Sequence, residues 1–223
     1  MPNLHHTFDP ILIETAADLR AGVRALRRRC SVMRRVHDAT GDPPLRRHSP
    51  GFEGLARVVV AQQLSTASAG AIWQRFAAAV QPLRPNVLLQ AGEGTLREAG
   101  LSRAKIKTLR AIATAAAHEG LDLEVLATAS DRAVHEALTR VSGIGPWTAD
   151  IFLMFCLGRR DAFAAGDLAL QVAAQHALGL GHRPSAPDLL ELAERWRPWR
   201  GVAARLLWAY YRLVKEPRSG APV

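Results

Sequence analysis

Val141-Ser142-Gly143-Ile144-Gly145-Pro146-Trp147 joins two stretches of helical apolar spacing with almost nothing between them. A connector this short has to reverse the chain through positive φ angles, which glycine adopts without steric cost while leaving its N–H uncovered. Pro146 fits the first turn of a following helix, where its missing N–H costs nothing. The N–H groups of Gly143, Gly145 and Trp147 would then gather at a helix N-terminus, an anion site suited to a DNA phosphate and blind to sequence. An ordinary corner between two helices also accommodates Gly-x-Gly, so the reading rests on context. That context is Val141 two residues before the first glycine, Pro146 and Trp147 after the second, and the apolar Ile151, Phe152 and Phe155 beyond.

Outward from this hairpin the apolar residues keep helical spacing almost throughout, and no stretch alternates as a half-buried strand would. The chain reads as all-α, two helical lobes flanking a cleft. Thr15 with Asp18 forms a capping box that starts a helix expected to run to about Val36, stopped by Gly41-Asp42-Pro43-Pro44. Ser49-Pro50 opens a second helix, with Phe52, Leu55 and Val59 on its buried side. It ends near Gln62-Gln63-Leu64, where Ser65 or Thr66 can cap the next and leave an exposed corner. Further helices are expected after Pro85, after Thr95, from Ser102 to His118, from Ser130 to Arg140, from Pro146 to Leu157 and from Leu168 to Leu178. Two more follow, separated by Pro198, for about eleven in all. The implied organisation has residues 1–48 packing with the C-terminal helices, and a helical-barrel lobe over 49–160 with the hairpin at 131–157. A C-terminal lobe occupies 161–215, and a tail expected to fray follows at 216–223.

With 223 residues and 48% hydrophobic content, the chain can bury a core without covalent staples. Cys30 and Cys156 are too few and too separated for a disulfide framework or a cysteine-held zinc or iron–sulfur site. Met1-Pro2-Asn3-Leu4-His5-His6 lacks the basic-then-apolar pattern of a signal peptide, and no run has the length of a membrane span. A cytoplasmic, nucleoid-associated location follows if the source is bacterial. The net charge of +9 comes from 26 arginines and three lysines, Lys105, Lys107 and Lys215, and suits an anionic partner without naming it.

Twenty-two residues beyond Gly145, after Ala164-Ala165-Gly166, Asp167 heads the Leu168–Leu178 helix. Its simplest role is an N-cap. The same position could also aim a carboxylate from a fixed helix end at positive charge developing on a deoxyribose, and at an attacking water.

The segment from Leu138 through Gln171 resembles the signature of helix-hairpin-helix DNA glycosylases, and the resemblance places Asp167 on that family's catalytic aspartate. Members that also cleave the strand carry a Schiff-base lysine where this chain has Trp147, and none of its lysines lies between the hairpin and Asp167. The four-cysteine cluster of other members cannot form. What remains is similar to the alkylation-repair branch, the 3-methyladenine DNA glycosylase II type, in its compact all-helical subgroup without an N-terminal β domain. That branch has a tryptophan at position 147 and a lead-in resembling Glu194-Arg195-Trp196-Arg197-Pro198-Trp199-Arg200, which puts Trp208 on the family's base-stacking tryptophan. Trp196 and Trp199 read as packing residues. Gly100-Leu101-Ser102 with Lys105 also resembles a stretch shared by the branch, so the likeness spans roughly residues 50–215.

The resemblance implies a monofunctional hydrolase of the N-glycosidic bond of alkylated purines in double-stranded DNA, acting in base excision repair by base flipping. Gly143, Ile144, Gly145, Trp147 and Thr148 would contact DNA, with the corner Gln62, Gln63, Leu64 and Ser65 at the minor groove and Gln63 or Leu64 as the plug. Trp147 and Trp208 would wall the base pocket, and Asp167 would assist bond cleavage. No cofactor is required, although a structural Na⁺ or K⁺ on the backbone carbonyls of Thr139, Val141 and Ile144 is implied. The protein is expected to act as a monomer, with no membrane partner. Two alternatives stay open: a non-catalytic helix-hairpin-helix DNA-binding protein, and a glycosylase/lyase for oxidised bases.

Overall fold

The computed structural model describes residues 12–215. The expected tail at 216–223 and the N-terminal segment read for targeting signals lie outside the described residues. Among those described there are thirteen α-helices and one 3-10 turn, with no strand beyond an isolated bridge between Leu12 and Arg159. No described helix is long and apolar enough to cross a membrane.

The chain forms two compact units. The first, from His48 to Leu157, holds α3 (Phe52–Ala61), α4 (Thr66–Ala79), α5 (Pro85–Gln90), α6 (Glu93–Glu98), α7 (Arg103–His118), α8 (Leu123–Thr128), α9 (Asp131–Thr139) and α10 (Pro146–Phe155). The long helix α7 is its spine and packs on α3, α5 and α6, while α9 packs on α10. Leu55, Val59, Phe76, Leu88, Leu96, Leu109, Ile112, Leu138 and Phe152 are fully buried here. Each such side chain contributes about 1.5–3 kcal/mol relative to exposure.

The second unit, residues 12–47 and 158–215, holds α1 (Ala16–Arg29), α2 (Ser31–Thr40), α11 (Leu168–Leu178), α12 (Ala186–Ala193), the 3-10 turn Glu194–Trp196 and α13 (Arg200–Lys215). Helix α13 packs on α1, α2 and α11, around a core that includes Leu19, Met33, Leu170, Trp196, Val202 and Leu206. The clamp at its start is visible in the sequence lead-in. Trp196 is fully buried, and Asp161 pairs with both Arg197 (2.5 Å) and Arg200 (3.0 Å). A Cβ at Gly201 would lie 2.8 Å from the Arg160 carbonyl, which instead accepts the Gly201 N–H at 2.8 Å. Glycine is what lets α13 dock on the 158–166 connector. Trp199 packs against Gly22, with the Arg160 guanidinium over its ring at 4.9 Å.

Three features depart from the sequence expectation. The helix expected from Thr15 to Val36 is two, broken at Cys30, whose backbone is extended (φ −138°, ψ 111°). Side chains hold the break: Arg27 reaches His37 Nδ1 at 2.7 Å and Asp38 at 2.5 Å, and Arg34 donates back to the Arg27 carbonyl at 3.1 Å. A short helix not anticipated, α8, sits on an Asp122 cap that accepts from the Glu124 and Val125 N–H groups. Helix α6 begins at Glu93, ahead of Thr95.

Candidate functional site

In the first unit, α9 ends at Thr139 and α10 begins at Pro146, so six residues make the reversal. The loop closes on two inward bonds, Val141 N–H to the Leu138 carbonyl and Ile144 N–H to the Val141 carbonyl, each 3.0 Å. Val141 and Ile144 are buried and anchor it. Gly143 takes the positive φ, at 89°. A Cβ there would overlap the side chain of Thr108 on α7, so the hairpin rests directly on the spine helix. Gly145 differs from expectation: its backbone is extended (φ −96°, ψ 175°), and it serves as the N-cap of α10 with open space where a Cβ would go. One left-handed residue suffices for the turn because Arg140, in the right-handed helical region, already begins it. Among the described residues, neither Gly143 nor Gly145 donates its N–H to a backbone carbonyl, and both are exposed. These two N–H groups, beside the N-terminus of a ten-residue helix, form a surface that can hold a phosphate.

The other hairpin residues have different roles. Ile144 commits its N–H and its side chain inward. Thr148 is 3% exposed, donates its N–H to the Gly145 carbonyl at 3.0 Å, and accepts at its hydroxyl from Gln62 Nε2 at 2.8 Å. Trp147 is half-buried. The Thr139, Val141 and Ile144 carbonyls offer neutral oxygens at and just beyond a helix C-terminus. That donor set suits a hard monovalent cation rather than a thiophilic metal.

The corner joins α3 to α4. Gln62 caps α3, Gln63 has φ 56°, the one positive φ outside glycine among the described residues, and Leu64 is 38% exposed. Ser65 caps α4 by accepting from the Ser68 N–H at 3.2 Å. Bulky Leu64 standing in solvent on a strained turn is the kind of feature that persists when a surrounding scaffold and a function hold it.

In the second unit Asp167 caps α11. Its Oδ1 accepts from the Leu170 N–H at 3.0 Å and from the Trp208 indole N–H at 3.0 Å. The turn before it is fixed by Asp167 N–H to the Ala164 carbonyl (2.9 Å) and by Gln171 Nε2 to the Ala165 carbonyl (3.0 Å). A half-buried carboxylate with two donors on one oxygen is held in one orientation. It can stabilise positive charge and orient a water. Sequence had suggested Asp167 and Trp208 separately; their hydrogen bond spans 41 residues and leaves no local signal. The same holds for Gln62 with Thr148 and for Thr108 beneath Gly143.

A family model described as HhH-GPD superfamily base excision DNA repair protein matches residues 56–198. Schizosaccharomyces pombe DNA-3-methyladenine glycosylase 1 is 32% identical over 176 residues, 77% of this chain and 77% of the relative. Among solved structures, S. pombe 3-methyladenine DNA glycosylase (Mag1) in complex with abasic DNA superposes with a TM-score of 0.78 at 28% identity, over 84% of this chain and 95% of that one. A Bacillus halodurans DNA-3-methyladenine glycosidase superposes with a TM-score of 0.73 at 31% identity, over 87% and 91%. Helical architecture, hairpin and matched span agree, and the chain belongs to the HhH-GPD superfamily of base excision DNA repair proteins.

Proposed function

We propose that the protein is a monofunctional DNA glycosylase that removes alkylated purines of the 3-methyladenine type from double-stranded DNA. The observation that carries this is Asp167, a carboxylate fixed at a helix N-terminus by Leu170 N–H and Trp208 Nε1. An aspartate needed only as a cap would not require the indole. The 3-methyladenine glycosylase relatives and the DNA complex of Mag1 support both substrate and partner.

A 3-alkylated adenine carries positive charge and leaves readily. The bond between sugar C1′ and the base nitrogen breaks, its electron pair neutralises the departing base, and oxocarbenium-like charge develops on the sugar. Asp167 stabilises that charge and orients a water. The water oxygen bonds to C1′, its proton passes to the carboxylate or to solvent, and an abasic site and a free base result. The base is taken out of the stack, and the face assigned to it in the second unit is Trp208, beside the acid. A cationic base over an aromatic face gains roughly 0.5–2 kcal/mol. Gly143 and Gly145 grip the phosphate backbone and the Gln63–Leu64 corner fills the gap left in the duplex. The Thr139, Val141 and Ile144 carbonyls would hold a monovalent cation that adds positive charge at the phosphate grip.

No Schiff-base step is available at Trp147, and Lys105 is committed elsewhere in the first unit. Asp167→Asn is expected to lower base release from methylated DNA by on the order of 100-fold or more, with duplex binding retained. Equal release by the two proteins would sink the mechanism. Borohydride trapping on an abasic duplex is expected to yield no covalent complex; a trapped complex would make the protein a lyase.

A further inference from the structure

Lys105 occupies a poor place for a cation. It lies in the first turn of α7, where the helix dipole opposes positive charge, and burial pushes its ammonium below the ordinary lysine value. What offsets this is the far end of another helix. Lys105 Nζ donates to the Val60 carbonyl at 2.7 Å, across 45 residues of sequence. The last carbonyls of α3 are otherwise satisfied by a tightening turn, Val59 by Gln62 N–H (3.2 Å) and Ala61 by Leu64 N–H (3.3 Å). Val60 is satisfied from α7, and three residues later the backbone enters the strained φ of Gln63.

We propose that Lys105 is a positioning residue that sets the Gln63–Leu64 corner against the phosphate-binding hairpin. One turn along the same helix, Thr108 lies directly beneath Gly143. Helix α7 therefore touches the hairpin with Thr108 and locks the approach to the corner with Lys105. A second clip joins the same two places, since Gln62 at the corner donates to Thr148 on α10 at 2.8 Å. Two independent ties thus fix the spacing between the group that holds the backbone and the group that enters the duplex. Within the corner the strained turn is spanned by the long Leu64 N–H to Ala61 carbonyl bond at 3.3 Å, so a corner carried on an untied helix end would lose that turn first. The geometry makes Lys105 and Gln62 supports for the corner rather than DNA contacts, and the proposal rests on the reading that this corner enters the duplex.

The test uses two duplexes of equal length, one undamaged and one holding a stable abasic analogue with 2-aminopurine opposite it. Lys105→Met is expected to lower the preference for the abasic duplex about tenfold and to abolish the 2-aminopurine fluorescence change. Its affinity for the undamaged duplex should stay within about twofold, and Lys105→Arg should restore both signals. Lys105→Gln replaces the methionine variant if that protein does not fold. If the Lys105 variant keeps the full preference while a Gln63→Ala/Leu64→Ala double variant loses it, the corner reading stands and the positioning role is wrong. If the double variant also keeps it, the corner reading itself fails. A Lys105 variant that weakens both duplexes equally reports general damage and likewise overturns the proposal.

Discussion

A methyl group added at Gly143 would overlap the Thr108 side chain and would have to tolerate φ 89°, whereas one added at Gly145 meets open space at φ −96°. The two glycines of a symmetrical-looking motif therefore carry different burdens. Gly143→Ala is expected to cost about 2–4 kcal/mol of stability, combining left-handed strain with an overpacked contact. Gly145→Ala should cost under about 1 kcal/mol, the difference between glycine and alanine as an N-cap. Both should weaken duplex binding, the second by covering an N–H rather than by loosening the fold. Urea denaturation beside binding isotherms at low and moderate salt separates these effects; equal loss of stability in the two variants would contradict the hairpin geometry. Sequence alone treats the pair as equivalent because Gly-x-Gly carries no sign of which residue turns and which one caps. That distinction belongs to Arg140, which begins the turn, and to Thr108, which closes in from beneath.

Helices were legible wherever a cap and an apolar stripe coincided. Thr15, Ser65, Ser102, Ser130 and Asp167 all cap as their side chains allow. The break at Cys30 was not legible, because the stripe of Leu19, Val23, Leu26, Met33 and Val36 continues through it and periodicity registers phase rather than direction. Helix α8 was missed because six residues are too few to display a period; α5 and α6 are as short, and Pro85 and Thr95 rather than periodicity mark them. Two caps also carry a titration. The Asp18 carboxyl is held below its ordinary value of 3.8 by the Thr15 hydroxyl and then by backbone N–H groups, and Asp188 likewise by Ser185. A carboxyl whose folded value is depressed stabilises the protein above its unfolded value, and that stability is lost as pH falls through the folded value. An Asp18→Ala/Asp188→Ala protein should therefore melt below the wild type at pH 6, and the gap should close as pH drops below 3.8. A gap independent of pH would mean that the capping boxes act through packing rather than through charge.

Charge is distributed unevenly over the molecule. Residues 16–40 hold seven arginines and two aspartates, a net +5 of the chain's +9, and they belong to the second unit, while Gly143 and Gly145 of the hairpin belong to the first. Arg20, Arg24 and Arg28 lie four residues apart along α1 and all are exposed, whereas Arg27 is tied to Asp38 and Arg29 donates to the Arg197 carbonyl. Charge placed this way acts on DNA through the field of the whole protein, which governs encounter more than residence. Substituting Arg20, Arg24 and Arg28 with glutamine should slow association with duplex DNA about three- to tenfold at low salt. The difference should vanish as the Debye length contracts from about 10 Å at 0.1 M toward about 3 Å at 1 M. Dissociation and the single-turnover rate of base release should not change. Stopped-flow association across a salt series checks this: if dissociation accelerates instead, these arginines grip the phosphate backbone directly, and the footprint on DNA extends beyond hairpin and corner to α1.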